Sequence, residues 1–362
     1  MITNYKNFKS IERTIYGAGS YSQLGGLLAN KRTQNGYVVF LIDHVFEHGL
    51  GIIKKDLPLE KTDMLVWVDV DEHEPTTEQV DNLRDLIIDN HKQLPDAVVG
   101  IGGGSVMDIA KAVSLMLTNE GSSVLYQGLN LIKKPGVYHL GIPTISGTAA
   151  EVSMTAVLTG PVKKLGLKCD WTPFDQIILD PTLTATVPKN QWFYTGMDCY
   201  IHCVESLTGT LMNEFSRAYG EKALDMSLQI FLQDLEPAER DELLMVASYF
   251  GGLSLTYSEV GVCHALSYGL SKILDYRHGY ANCIAFNHLD DVYGDSVNDF
   301  KKMVEKHEVD LPQNLSENWS QKQLEDMAEV AYNLTHMWIH AFGKDWEQQV
   351  DRNRIIEWYK RM

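Results

Sequence analysis

The chain lacks a surplus of positive charge, any apolar run of transmembrane length, and an even set of cysteines. It carries 31 Lys and Arg against 48 Asp and Glu over 362 residues, a formal net charge of -17. A nucleic-acid surface needs clustered basic side chains, so that class of partner is excluded, and an anionic membrane surface with it. The excess acid reads as solvated surface that aids solubility. No positively charged stretch followed by an apolar core opens the chain, and no segment has the length to span a bilayer. The five cysteines, at 169, 199, 203, 263 and 283, are odd in number and scattered. They read as reduced thiols and predict a cytoplasmic protein. No internal repeat and no low-complexity tract appears.

What is present is an apolar content of 44%, enough for a sizeable core in one large or two medium domains. After a β-like stretch and the turn Tyr16 to Ser20, helical spacing runs through Leu24, Leu27 and Leu28. Tyr37 to Ile42 is a continuous apolar run ending at Asp43, as suits a parallel strand buried on both faces. Met64 to Val70, Ala97 to Ile101, Val137 to Ile142 and Ile177 to Leu179 read as further strands. Thr76 to His91 reads as a helix with a Thr start. Strands alternating with helices predict βαβ units, hence an α/β domain with a parallel sheet.

Two loops leave strand ends. Gly102, Gly103, Gly104 and Ser105 follow the third strand and open a helix that contains Asp108. Backbone N–H groups and the helix N-terminus there suit a phosphate. The competing reading is a tight turn, with helix capping as the role of Ser105 and Asp108. The second loop, Pro143 to Glu151, carries the hydroxyls Thr144, Ser146 and Thr148. Two such loops favour an extended, phosphate-bearing cofactor. Asp43 at a strand end either accepts from a ribose hydroxyl, favouring NAD over NADP, or is an ordinary surface Asp.

Past Pro181 strand signals fade and helical spacing dominates. The expected organisation is an α/β dinucleotide-binding domain over 1–181 and an all-helical metal- and substrate-binding domain over 182–362, with a cleft between them. Helices are expected near 190–211, 214–233, 239–257, 262–274, 281–292, 297–307, 321–342 and 346–360. Asp198 and His202 stand four apart on the first of these and share its face. His264 opens a later apolar helix, and His278 sits in a turn beyond it. Each alone reads as a surface pair or a satisfied core histidine. Together they offer three imidazoles and a carboxylate, a donor set for Zn(II) or Fe(II) rather than Ca(II) or Mg(II). Glu205 either orients one imidazole or faces solvent. Cys199, Cys203 and Cys263 read as small packing residues.

In this order the Tyr16 turn, Asp43, Gly102 to Ser105 with Asp108, Pro143 to Thr148 with Glu151, Asp180-Pro181, Thr195 to Asp198 with His202 and Glu205, Gly261 to Ala265, and His278-Gly279 resemble the iron-containing (group III) alcohol dehydrogenase family. Its fold is dehydroquinate synthase-like. The resemblance implies metal ligands at Asp198, His202, His264 and His278, a pyrophosphate loop at Gly102 to Ser105, and a second cofactor loop at Thr144 to Thr148. It implies a divalent metal (Fe or Zn), a nicotinamide cofactor, a small-molecule alcohol substrate and a homodimer. Asp rather than Glu as first ligand implies redox chemistry. Where the family often has a second His, four residues after His264, this chain has Tyr268, which either relays a proton or packs.

The Cys199, Cys203 and Tyr268 variations resemble members that oxidise the terminal primary hydroxyl of a sugar acid, 3-deoxy-manno-octulosonate, to an aldehyde for lipopolysaccharide amino-sugar synthesis. Such members leave open whether nicotinamide or oxygen takes the electrons. A sugar acid calls for a cation, for which Lys163, Lys164, Lys168 and Arg277 are candidates. Two other readings stand beside this one. A dehydroquinate synthase-like lyase or cyclase would show no net NADH. A non-catalytic nucleotide-binding protein is disfavoured by the four retained ligands.

Overall fold

Buried aliphatic runs build the first half of the molecule around a parallel sheet. A computed structural model of the chain describes residues 9–48, 51–70 and 74–362. Its strands are β1 (Arg13–Tyr16), β2 (Val38–Asp43), β3 (Met64–Val68), β4 (Ala97–Gly102), β5 (Gly128–Leu129), β6 (His139–Pro143), β7 (Thr155–Thr159), β8 (Lys164–Lys168) and β9 (Gln176–Leu179). Between them lie α1 (Leu24–Ala29), α2 (Gly51–Asp56), α3 (Thr77–Asn90) and α4 (Gly104–Met116). The main sheet runs β1-β9-β6-β4-β2-β3, and each neighbouring pair is parallel. Val38 to Ile42 of β2 are fully buried, as a strand covered on both faces requires. Thr76 caps α3 by accepting from the Gln79 N–H at 3.0 Å.

Parallel strands send all their carboxyl ends the same way. Ile42 therefore stands opposite Ile101, and Gly102 opposite Pro143. The end of β2 at Asp43 and the loops after β4 and β6 thus emerge side by side along one edge of the sheet. A second, three-stranded sheet, β5-β8-β7, escaped the sequence reading. Its antiparallel hairpin pairs β7 with β8, with Thr155 opposite Lys168 and Thr159 opposite Lys164.

The chain divides into two compact units, the first ending at Thr186 and the second starting at Val187. The first runs five residues past the expected 181, because Asp180 ties the following turn to the first strand region. Its carboxylate accepts from the N–H groups of Gly19, Tyr21 and Thr182 at 3.1, 2.9 and 3.0 Å.

The second unit is helical: α5 (Lys189–Thr208), α6 (Glu214–Leu232), α7 (Pro237–Tyr257), α8 (Val262–Leu274), α9 (His278–Phe286), α10 (Asp290–Tyr293), α11 (Asp295–Lys306), α12 (Gln321–Tyr332), α13 (Thr335–Phe342) and α14 (Arg352–Lys360). Three expected helices differ. The one expected over 281–292 starts three residues earlier, at His278, because Arg277 is extended (φ -61°, ψ 142°) and serves as its N-cap. It also breaks after Phe286. The one expected over 321–342 breaks at Asn333, whose side chain turns back onto the Glu329 carbonyl. The last begins at Arg352, with Asp351 as its cap. All five cysteines are free and buried. Among the described residues, no helix is long and apolar enough to cross a membrane.

Candidate active site

In the α/β unit the two loops meet. Gly103 is the N-cap of α4 and provides no side-chain cap, so the first-turn N–H groups of this helix keep their positive potential for a ligand. The Thr144 N–H donates to the Gly102 carbonyl at 2.9 Å, joining the two loops at their roots. A Cβ on Gly104 would stand 2.7 Å from Thr148 Oγ1, and one on Gly102 would stand 3.0 Å from the Asp43 Cβ. These glycines therefore let Asp43 and the two loops approach one another. Ser146 Oγ is buried and makes no hydrogen bond, a polar atom suited to a ligand oxygen. Thr144 is likewise buried, and Ser105 is half-buried in the first turn of α4. Asp43 accepts from the Val45 N–H at 3.2 Å at the end of β2.

Asp108, expected among the cofactor residues, has partners within the fold. Its Oδ1 is 2.8 Å from Lys111 Nζ, and its Oδ2 accepts from the Val157 N–H at 3.0 Å. The carboxylate is committed to the fold because Lys111, fully buried one turn on, requires an anion. Lys111 also donates to the carbonyls of Ala150 and Thr155 and to Ser153 Oγ. This cluster fixes the second loop against α4. Nearby, burial pushes the Glu151 carboxyl up to about 7.

In the helical unit, Asp198 is fully buried on α5 among three imidazoles. His202 Nε2 is 3.5 Å and His264 Nε2 3.3 Å from its Oδ1, and His278 Nε2 is 3.6 Å from its Oδ2. Donors about 2.1 Å from one tetrahedral cation stand about 3.4 Å apart, so these separations fit a Zn(II)- or Fe(II)-sized ion. Asp198, His264 and His278 form the tightest group, with all their donor atoms within 4.8 Å of one another. His202 lies just outside that trio, its ring stacked on His264 at 4.8 Å. Asp198 Oδ2 and His202 Nδ1 are buried without a hydrogen bond, and an orphaned carboxylate oxygen here is what a cation would satisfy.

The electrostatics agree. Burial alone would raise the Asp198 carboxyl, but His202, His278 and His264 hold it well below the usual carboxylate range. Glu205 is also fully buried and depressed, because His264 and Tyr293 outweigh its desolvation. Its Oε2 bonds His264 Nδ1, and its Oε1 accepts from the Cys263 N–H and the Tyr293 hydroxyl, each at 2.7 Å. Glu205 thus orients an imidazole and does not face solvent. Burial lowers His264, yet the Glu205 and Asp198 carboxylates more than reverse this and push it up to about 10. Two buried carboxylates demand positive charge, and they draw it onto the nearest imidazole.

Two further residues complete the centre. Tyr268, one turn beyond His264 and half-buried, sets its ring edge-on to His278 at 5.9 Å. Asn282, four residues after His278, was missed by the sequence reading, although that spacing places it on the ligand face of α9. A cavity of about 300 Å³ is lined by Gln191, Tyr194, Asp275, Tyr276, Arg277 and Tyr280. Gln191 and Tyr194 lie two turns and one turn before Asp198 along α5, and Arg277 adjoins His278. Of the proposed cations, Lys163 instead donates to the Gln127 carbonyl and Lys164 pairs with Glu74, both at 2.9 Å.

Comparison with known proteins places the chain in sequence and fold. The family model for iron-containing alcohol dehydrogenase matches residues 12–181, and that for the C-terminal part of the Fe-containing alcohol dehydrogenase family matches residues 192–340. Sulfoacetaldehyde reductase of Bilophila wadsworthia is 27% identical over 284 residues, covering 75% of this chain and 70% of the relative. NAD-dependent methanol dehydrogenase of Bacillus methanolicus is 26% identical over 292 residues, covering 78% and 74%. In fold, the chain is similar to the solved 1,3-propanediol oxidoreductase, with a TM-score of 0.83 at 19% identity over 98% of each chain.

Proposed function

The chain belongs to the iron-containing alcohol dehydrogenase family, oxidoreductases acting on CH–OH groups, and from that footing we propose that it is a cytoplasmic, NAD-dependent metalloenzyme oxidising the terminal primary hydroxyl of a sugar acid. The sugar acid proposed is 3-deoxy-manno-octulosonate, and the product aldehyde would serve lipopolysaccharide amino-sugar synthesis. One observation carries the metal part of the reading: a fully buried Asp198 with an orphaned oxygen among three imidazole nitrogens. Asp198, His202, His264 and His278 would hold the ion. Glu205 keeps His264 oriented with Nε2 toward Asp198. Gly103, Ser105, Thr144, Ser146 and Thr148 would cradle a pyrophosphate, and Asp43 would accept from a ribose hydroxyl and repel a 2′-phosphate. When bound, the cation supplies a Lewis acid that lowers the pKa of an alcohol hydroxyl, and the nicotinamide supplies a hydride acceptor.

The cavity beside His278 supports the substrate class. Tyr194 and Tyr276 each meet Tyr280 edge-on, at 5.3 and 5.5 Å, which gives faces and hydroxyls for a sugar chain. Arg277 and Asp275 stand in the same lining. The homodimer rests on the family resemblance, and β1, at the edge of the sheet beside β9, offers a strand edge for pairing.

Activity is tested by stripping the metal with a chelator, restoring Fe(II) or Zn(II), and screening alcohols and sugar acids while both NADH and peroxide are followed. Metal-dependent NADH formation with a sugar acid is the expected result. A metal-free protein working at an unchanged rate removes the metal from the reaction, and peroxide without NADH makes oxygen the acceptor. Tyr268 is read as the proton relay in place of the usual histidine. Tyr268→Phe is expected to lower kcat about a hundredfold, the low end for general acid–base catalysis, with KM little changed. An unchanged kcat assigns Tyr268 to packing alone.

A further inference from the structure

Asp198 has two chemically unequal oxygens in this fold. Oδ1 accepts a hydrogen bond from Asn282 Nδ2 at 2.7 Å, while Oδ2 is buried and has no hydrogen bond. Asn282 is itself fully buried on α9, and its Nδ2 also stands 3.3 Å from His264 Nε2 and 3.2 Å from His278 Nε2. We propose that Asn282 is a positioning residue for the metal centre, whose side-chain amide fixes the rotation of the Asp198 carboxylate against the three imidazoles and keeps it a single-oxygen ligand. The proposal rests on the metal reading above.

The residue type fits the task. A carboxylate free to rotate about its Cβ–Cγ bond offers a cation one oxygen or two, and a hydrogen bond to one oxygen removes that choice. The donor must be neutral. A lysine in this place would satisfy Asp198 with a permanent charge and displace the cation, whereas another carboxylate would repel it. An amide donates without charge. The reverse amide orientation would set a carbonyl oxygen against a carboxylate, so the donor faces Asp198. This orientation leaves Asn282 Oδ1 buried without a partner. Burying such an atom is unfavourable for the fold, and a leucine of similar size would avoid it. The amide is thus explained by what it does for Asp198 and not by packing.

The test uses the full chain as Asn282→Leu and Asn282→Ser. Zn(II) affinity is measured by competition with a chromophoric chelator, alongside the Tm of each metal-free protein. Visible spectra of the Co(II)-loaded forms report coordination number. Both variants should bind Zn(II) about 10- to 100-fold more weakly, while the metal-free Tm falls modestly because the buried Asp198 Oδ1 loses its donor. Their Co(II) bands should weaken as Asp198 becomes a two-oxygen ligand. A folded variant with wild-type Zn(II) affinity and an unchanged Co(II) spectrum overturns the proposal. If the leucine variant does not fold, the serine variant decides. Failure of the unsubstituted protein to bind any divalent ion overturns the metal reading and, with it, this role for Asn282.

Discussion

Asp198→Ala should purify without its metal and turn over about a thousandfold more slowly, since a catalytic cation contributes several kcal/mol and each 1.4 kcal/mol is a factor of ten. The side chain is fully buried and lies within 3.6 Å of all three imidazoles. Its loss leaves neutral donors on three helices with no shared anion to draw a cation in. The fold should survive, because Met197, Ile201 and Val204 on the same helix remain packed in the core. The metal-free Tm should therefore stay near that of the metal-free parent, while metal content by elemental analysis and kcat both collapse. A full metal complement with near-normal turnover would take Asp198 out of the centre.

Lys111→Met is expected to have the largest effect on stability. The ammonium is fully buried and paired with Asp108 at 2.8 Å. Breaking a buried pair from one side strands the other charge and costs about 3–5 kcal/mol. The deficit should depend on pH in a definite direction. The Asp108 carboxyl is already raised by burial, against which Lys111 pulls it down, and Glu151 is raised to about 7 against the same opposing pull. Without the lysine both carboxyls rise further. A carboxyl with a folded pKa above its unfolded value costs nothing below the unfolded pKa, and its penalty grows as pH climbs toward the folded pKa. The variant should thus be least impaired near pH 4 and progressively worse through pH 7. Urea melts at several pH values measure this, and a deficit that shrinks with rising pH contradicts it. Cofactor affinity should fall as well, because Lys111 also fixes Ala150 of the second loop and Ser153 and Thr155 just beyond it.

What could be read from the chain follows from how locally each feature is encoded. Val38 to Ile42 had to be a covered strand because five consecutive apolar residues leave no face for water. The Asp198 and His202 pair was visible as a helical stripe, and the family resemblance joined it to His264 and His278. The hairpin of β7 and β8 was missed because the second strand begins and ends on lysine and is interrupted by Gly166, so it shows no continuous apolar run. Lys111 reads in sequence as an exposed helix residue. Only the tertiary fold shows that it is enclosed by Asp108 and the carbonyls of a loop some forty positions away. Asn282 carries no charge and no ligand chemistry, so nothing but its distance from His278 marks it. His278 was expected in a turn and is the first residue of α9, because an extended residue before a helix is indistinguishable in sequence from a loop.

The centre joins segments far apart in the chain: Asp198 and Asn282 are 84 positions apart, and Glu205 and His264 are 59. An ion held there behaves as a removable cross-link. It binds the folded helical unit and finds no such site in the unfolded chain, so its binding energy adds to the folding energy of that unit. Free metal at a hundred times its dissociation constant would add about 2.7 kcal/mol. The lifetime of the enzyme in the cell is then tied to metal supply: scarcity shifts part of the population toward unfolding and proteolysis, and lowers the amount of protein as well as its activity.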